Sequence, residues 1–458
     1  MNVVLISTYD LGQQPFGVAS PAAWLKREGC RVACFDLAVE RLDPGTVAAG
    51  DLVAFYLPMH TATRLACDVA AKIREINPAA HLCFYGLYAP LNESLLRRLG
   101  ADTILGGEFE AGLASLVRRL AAGDSHPGDQ SEPLVSLDRQ RFLVPDRGGL
   151  PGLERYVRLH LTHGELKTVG YTEATRGCLH LCRHCPVVPV YRGSFRVVQR
   201  DVVIEDVRRQ VAAGAEHITF GDPDFFNGPG HALAIVRELH DELPELTYDV
   251  TIKVEHLLKY AESLPTLRDT GCLFVTSAVE AVDDRILEVL DKGHTRAQFI
   301  ELARLFRENR LQLNPTFVPF TPWTTPEGYL DLLEQILDLA LVDNVAPIQY
   351  GIRLLVTPRS RLLELDEVRR LVGELDEEKL VHPWAHPDPR VDRLCDDVLR
   401  AVHDGQRRGE SRRRIFRRIW SLAREAQSAR IRESERVAEL DRAAPPAAVP
   451  FLTEPWYC

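Results

Sequence analysis

No uninterrupted apolar run in the 458 residues approaches the roughly 18–20 residues that a membrane-spanning helix needs, so a membrane protein is not expected. The start, MNVVLISTYDLGQQPFG, lacks a basic segment followed by an apolar leader, so no secretory signal is read there. Positive charge is not in excess: 55 Lys and Arg stand against 65 Asp and Glu, for a net charge of −10. A broad nucleic-acid footprint is therefore not expected, which leaves room only for a local basic patch. With no export signal read, the ten cysteines are not expected to form a disulfide framework. A cytoplasmic chain with reduced, buried or metal-bound thiols is the expectation. The balance of 45% apolar and 26% charged residues is ordinary for a folded soluble protein, and the length implies two or three domains.

Residues 1–122 alternate strand and helix. Val3–Ile6, Arg31–Phe35, Leu52–Leu57, His81–Tyr85 and Thr103–Leu105 are short, apolar and largely β-branched or aromatic. Between them, Ala22–Arg27, Leu65–Ile76, Leu91–Leu99 and a last segment through Leu120 read as helices. This βαβα order predicts a doubly wound parallel sheet, with Ser7, Asp36, Pro58, Gly86 and Gly106 at the strand ends where such sheets bind ligands. GVASPAAWLKREGCRVACFD, DLVAFYLPMHTATRLACDVAAKIREINP and ADTILGGEFE resemble the cobalamin-binding-type domain that precedes many radical S-adenosylmethionine (SAM) cores. The Asp-x-His-x-x-Gly signature of a lower axial histidine is absent, and His60 is the tempting substitute. The alternative is a docking domain that binds no cofactor. Cys30, Cys34, Cys67 and Cys83 lie in or beside apolar segments and read as small core residues. Residues 123–165 begin with a Gly-, Ser-, Pro- and acid-rich stretch and read as a linker.

The chemistry is concentrated in Thr175-Arg176-Gly177-Cys178-Leu179-His180-Leu181-Cys182-Arg183-His184-Cys185-Pro186. Three thiolates spaced Cys-x3-Cys-x2-Cys on one loop can each reach a different iron of a cubane and leave the fourth iron open. An open position is what a catalytic metal site keeps. A structural zinc site would need a fourth ligand, which His180 or His184 could supply.

The surroundings of this loop resemble the radical SAM family. His184 occupies the family's adenine-contacting position before the third cysteine. Val202–Ala213 reads as the first helix after the loop, and His217–Phe220 as the next strand, ending in Gly221-Asp222-Pro223-Asp224. That segment corresponds to the Gly-Gly-Glu strand end that holds the SAM amino group, with the acids kept and one glycine lost. Tyr248–Glu255 reads as another strand, with Lys253 near its end, Leu273–Glu280 as the next, and Lys292-Gly293-His294-Thr295 opens the following unit. Leu311–Val318 and Pro347–Leu355 continue the series as strands. The expected fold class is α/β: an amino-terminal doubly wound sheet, a partial TIM barrel over 166–360, a helical extension over 361–440 and a tail over 441–458. The resemblance implies a [4Fe–4S] cluster on Cys178, Cys182 and Cys185, and SAM or substrate contacts from His184, Gly221, Asp222, Asp224, Lys253 and Glu280. Read singly, the acids are loop residues or helix caps, and Lys253 and Glu255 form a weak solvent pair.

In the carboxyl-terminal third, Leu363–Leu375 and Val391–His403 read as amphipathic helices, and Arg412–Leu440 as a long solvated helix with Glu/Arg pairs. Cys272 reads as core. The chain closes on a Pro/Ala stretch and Thr453-Glu454-Pro455-Trp456-Tyr457-Cys458. With CLHLCRHCPVVPVYRG, HITFGDPDFFNGPGHAL and DVTIKVEHLL, this end resembles the CUAEP/CCAEP-tail radical SAM (seleno)proteins. That resemblance implies a catalytic, redox or soft metal(loid) role for Cys458, followed in the full product by selenocysteine. The expected function is reductive SAM cleavage acting on an unidentified substrate, with a flavodoxin- or ferredoxin-type electron donor, and with methyl transfer as the reaction if cobalamin binds. The competing expectation is a non-catalytic Fe–S or zinc protein acting through partner docking.

Overall fold

The computed structural model describes residues 1–123, 132–161, 164–427, 437 and 449–453. The first sheet holds β1 (Asn2–Ser7), β2 (Arg31–Asp36), β3 (Leu52–Tyr56), β4 (His81–Tyr85), β5 (Thr103–Gly107) and β6 (Val135–Ser136), in the order β2-β1-β3-β4-β5-β6. Every neighbouring pair is parallel. The continuous apolar strands follow from burial on both faces. Val4, Ile6, Val53 and Phe55 pack on one side, and Val3, Leu5, Leu52 and Ala54 on the other. Strand order reverses between β1 and β3, so the sheet's switch point lies there.

The second sheet is built from β7 (Arg158–His160), β8 (Leu166–Thr172), β11 (His217–Phe220), β12 (Thr247–Thr251), β13 (Cys272–Glu280), β14 (Gln312–Phe317) and β15 (Phe451–Leu452). β8, β11, β12, β13 and β14 run parallel as an open, partial barrel, with β7 and β15 antiparallel at one edge. β9 (Thr175–Gly177) and β10 (Phe195–Val197) form a separate antiparallel pair that brackets the cysteine loop. The expected strand over Pro347–Leu355 is instead a 3-10 turn at Pro347–Tyr350 and a single bridge between Phe320 and Arg353. Pro347 has no N–H to give a ladder, and its fixed φ suits the first turn of a helix.

The described part of Arg412–Leu440 is helical over Arg412–Ala426 and is not solvated all round. Ile415, Phe416, Ile419, Trp420 and Ala423 are buried in the barrel's main core. Val391–His403 lies within a helix over Pro389–Arg407, whereas Leu363–Leu375 breaks into a 3-10 turn at Arg361–Glu364 and a short helix at Asp366–Leu371. Cys34, Cys83, Cys272 and Cys395 are buried, and burial pushes the Cys34 thiol up to about 12, as for inert core thiols.

The segment between the sheets is packed in its described parts. Arg147 donates to both Asp206 oxygens, to Gln14 Oε1 and to Tyr171 O, tying the switch-point side of the first sheet to the first barrel strand. No helix among the described residues is long and apolar enough to cross a membrane.

Candidate active site

The cysteine loop leaves β9 at Gly177. Its φ of +77° and a Cβ position 2.3 Å from the Tyr191 ring and 2.5 Å from Ser194 O admit only glycine. The loop is pinned from several sides. Leu179 N–H donates to Asn227 Oδ1 (3.1 Å), while Asn227 Nδ2 donates to Gly177 O (3.0 Å). Arg183 N–H donates to Leu290 O (2.9 Å), and Arg361 donates to Leu181 O (2.7 Å). These bonds converge on a loop with little regular structure of its own, which is how a three-thiol set is held in one geometry. Cys182 is buried, and Cys178 and Cys185 are half-buried. Cys178 and Cys185 pack at the edge of the first sheet's core, beside Val187, Val190 and Tyr191. Burial pushes the Cys178 thiol up to about 11 and raises Cys185 further. A cation that displaces the thiol protons fits these two groups.

Around the loop, the strand ends supply charge. Burial alone would raise the Glu280 carboxyl, but Lys292 Nζ (3.2 Å) and His184 Nε2 (3.2 Å) hold it down at about 2. Glu280 sits at φ +68°, where the β13–β14 register shifts. An outlier backbone held by a buried ion pair at a strand end is a common mark of a functional position. Lys253 lies just past β12 and donates to Glu255 Oε2 (3.3 Å), the pairing anticipated from sequence. Burial, then Lys292 and Lys253, lowers His294 to about 4.

Gly221 lets Tyr171 cross the end of β11: a Cβ there would lie 1.7 Å from the tyrosine oxygen. Asp222 is turned inward. Its carboxylate accepts from Ala174 N–H (2.9 Å) and Thr175 Oγ1 (2.6 Å), and burial raises it to about 7. Asp224 Oδ1 accepts from Phe226 N–H (3.0 Å), while Oδ2 faces His256 Nδ1 and His180 Nε2. The structure thus gathers His184, Lys253, Glu280 and Asp224 around the loop and places Asp222 beneath it. Cys458 lies outside the described residues.

Sequence reasoning missed Lys292 as Glu280's partner, His256 beside Asp224, and the carboxylates around Arg176. Arg176 is buried. It donates to Glu173 (2.6 Å), between β8 and β9, and, through two nitrogens, to Glu110 (2.7 and 2.9 Å) just past β5. Glu108 stands 3.7 Å away and accepts from Tyr191 Oη (3.1 Å). Burial raises Glu108 from 4.5 to about 7, with Arg176 opposing and Glu110 adding to the rise. A carboxyl raised on folding contributes stability that is complete below about 4.5 and is lost as pH climbs through 7. Glu108→Gln is therefore expected to flatten the pH dependence of denaturation between pH 5 and 8 and to gain stability relative to the parent at pH 8. Urea midpoints across that range check it, and an unchanged slope would assign the pH dependence elsewhere.

The ends of the first sheet were tested for a corrinoid. Ser7 Oγ, at the end of β1, is buried without a hydrogen-bond partner, as a group facing a ligand would be. Gly86, Gly106 and Gly107, however, are covered by Leu57 O (2.9 Å), Pro90 (2.5 Å) and Ser136 O (2.1 Å) at their Cβ positions. Own-chain atoms fill the ends of β4 and β5. At these three glycines the chain itself covers the strand ends and leaves no open surface for a corrin. His60 Nε2 is bonded to Lys379 O (2.6 Å).

Residues 172–336 match the radical SAM superfamily. A putative methylthiotransferase of Methanocaldococcus jannaschii is 22% identical over 359 residues, covering 74% of this chain and 76% of that protein. The tRNA-2-methylthio-N(6)-dimethylallyladenosine synthase of Prosthecochloris aestuarii is 25% identical over 35% of this chain, which spans only 38% of that protein. Among solved structures, the radical SAM methyltransferase TsrM of Kitasatospora setae, with cobalamin and a [4Fe–4S] cluster bound, superposes with a TM-score of 0.65 at 15% identity, over 97% of this chain and 99% of that one. The cobalamin-dependent radical SAM enzyme OxsB, with aqua-cobalamin and SAM bound, gives 0.64 at 13% identity, over 88% and 67%. At these identities the structural likeness speaks for the fold, while the superfamily match falls on the segment that holds the three cysteines. The chain is a radical SAM enzyme that uses a [4Fe–4S] cluster and SAM, and its amino-terminal sheet has a cobalamin-binding-like fold.

Proposed function

We propose that Cys178, Cys182 and Cys185 hold the cluster and that the chain cleaves SAM reductively to act on a substrate bound at the barrel mouth. The observation that carries this reading is the pinned loop with three thiols, whose two neighbouring histidines are each turned to carboxylates. His180 directs Nε2 to Asp224 and Nδ1 to Glu255, and His184 directs Nε2 to Glu280. That supports an open iron over a Cys3His zinc site. When bound and reduced, the cluster supplies the electron that breaks the SAM sulfonium bond. The chain's own residues orient and exclude. Glu280, kept ionised by Lys292, fixes the His184 ring against the place expected for adenine. Lys253 offers a cation for the SAM carboxylate, Gly221 and Asp224 border the place of the amino group, and Asp222 holds the start of the loop from below.

On this reading 1–122 is the cobalamin-binding-like unit, 123–165 the connection, 166–360 the barrel, 361–440 its helical cover and 441–458 a tail. β15 runs parallel to β8, and Thr453 N–H donates to Arg158 O (2.9 Å), so the last described residues head toward the strands' carboxyl ends. Five further residues span at most roughly 17 Å. This supports Cys458 as a thiol that serves the barrel mouth as a redox or soft-metal group, alone or beside a selenocysteine. Electrons come from a flavodoxin- or ferredoxin-type donor.

Anaerobic reconstitution tests the core of the proposal. The expected result is about four irons per chain and 5′-deoxyadenosine formed from SAM on reduction. Zinc bound by the three cysteines, with no 5′-deoxyadenosine, would favour the docking alternative. A corrinoid, if the chain takes one up, receives no histidine from it. His60→Ala protein loaded with hydroxocobalamin is expected to give the parent's cobalt spectrum, because His60 is spent on Lys379 O. A shifted spectrum contradicts this, and failure of either protein to retain corrinoid removes that cofactor and methyl transfer through it.

A further inference from the structure

Beside the cysteine loop, three side chains from three elements turn donor atoms toward one point. His180 comes from the loop, Asp224 from the turn after β11, and His256 from the helix Val254–Lys259 after β12. His180 Nε2, Asp224 Oδ2 and His256 Nδ1 all lie within 4.8 Å of one another. Asp224 and His256 are buried, with only 1% and 6% of their surface exposed, and His180 is nearly so. Asp224 Oδ2 stands 2.8 Å from His256 Nδ1 and 3.6 Å from His180 Nε2, but none of the three atoms makes a well-aligned hydrogen bond, so they converge as a donor set with room for a shared partner.

The separations identify the class of partner. Donors bound 2.0–2.1 Å from a tetrahedral zinc lie about 3.3 Å apart. Asp224 Oδ2 stands 2.8 Å from His256 Nδ1 and 3.6 Å from His180 Nε2, which brackets that spacing. The supports match as well. Phe226 N–H takes the other oxygen of Asp224, leaving Oδ2 aimed inward. Glu255 Oε2 lies 3.5 Å from His180 Nδ1, the carboxylate-on-histidine arrangement that orients a metal-bound imidazole. Lys253, the nearby cation, is drawn to Glu255 at 3.3 Å.

The geometry points to a mononuclear site for a divalent zinc-class cation on His180, Asp224 and His256, separate from the three cysteines. Two imidazoles and one carboxylate leave at least one coordination position for a donor that the protein does not supply. At the barrel mouth, that position faces the space assigned above to SAM or substrate. The site rests on its own donor set, and its failure is distinguishable from failure of the cluster reading.

Metal counting on the full chain separates the two. Protein reconstituted with iron and sulfide, then dialysed with a slight excess of zinc, is expected to carry about one zinc besides about four irons. His256→Ala and Asp224→Asn are expected to lose the zinc and keep the iron, whose retention reports an intact fold. His256→Cys, which restores a zinc donor, is expected to recover it. The triple variant Cys178→Ala, Cys182→Ala, Cys185→Ala should lose iron and keep zinc. Cobalt(II) added to that triple variant should show visible d–d absorption without thiolate charge transfer. Zinc that survives His256→Ala but disappears with the cysteines overturns the assignment, as does the absence of zinc from every protein.

Discussion

Alanine at Cys178, Cys182 or Cys185 is expected to reduce iron below about four per chain and to abolish 5′-deoxyadenosine formation, with the fold retained. On the proposed reading each thiolate serves one iron, so losing one would open a second corner of the cubane to solvent and oxidation. The loop does not depend on its cysteines for position. Asn227, Arg183 and Arg361 hold it through backbone bonds at Gly177, Leu179, Leu181 and Leu290. Alanine is smaller and apolar, and Cys178 and Cys185 only border the first sheet's core, whose buried members are other residues. Iron analysis, the visible charge-transfer band and product chromatography check the prediction. A variant that keeps four irons and cleaves SAM would remove its cysteine from the ligand set.

The contrast between what sequence reading found and what it missed has a physical origin. The three cysteines, the apolar strands of both sheets and the glycine at the loop entry are local signals, readable from a dozen residues. Gly221 and Glu280 are singled out in the sequence by the resemblance of their segments to the radical SAM family, and the structure places them after β11 and at the end of β13. Long-range partners carry no such period. Nothing in the spacing of His180, Asp224 and His256 shows that their ring and carboxylate atoms meet, and nothing near Lys292 names Glu280 as its partner. Asp222 and Asp224 look equivalent in the sequence, and as i and i+2 of a strand they would face the same way, but β11 ends at Phe220 and the chain turns before Asp224. One is spent on Ala174 and Thr175, and the other faces the histidines. The Pro347–Leu355 segment reads as another strand of the series, whereas Pro347 and the packing of Tyr350 on Phe416 make it a turn against the helix Arg412–Ala426.

Arg176→Ala is expected to be the most destabilising single change outside the two main cores, costing about 3–5 kcal/mol in a denaturant titration. The guanidinium is buried among Phe16, Phe109 and Phe142, whose ring centroids lie 5.4, 4.8 and 5.0 Å from it. It satisfies Glu110, on the first sheet's side, and Glu173, on the barrel's side. Burial would raise the Glu110 carboxyl, but the two guanidinium nitrogens hold it below its ordinary range. Removing the cation leaves carboxylates facing one another away from water, and a buried pair broken on one side costs far more than the pair contributes when intact. Arg176→Lys is not expected to rescue the fold, because a single ammonium cannot place one nitrogen on Glu173 and two on Glu110. The consequence reaches the chemistry through distance along the chain. Arg176 stands two residues before Cys178, so the contact that joins the two sheets also sets the start of the cysteine loop. Iron retention after mild urea should therefore fall in Arg176→Ala before the barrel itself unfolds, as followed by circular dichroism. Coincident loss of iron and helix signal in parent and variant alike would show that this contact holds the fold only globally and does not position the loop.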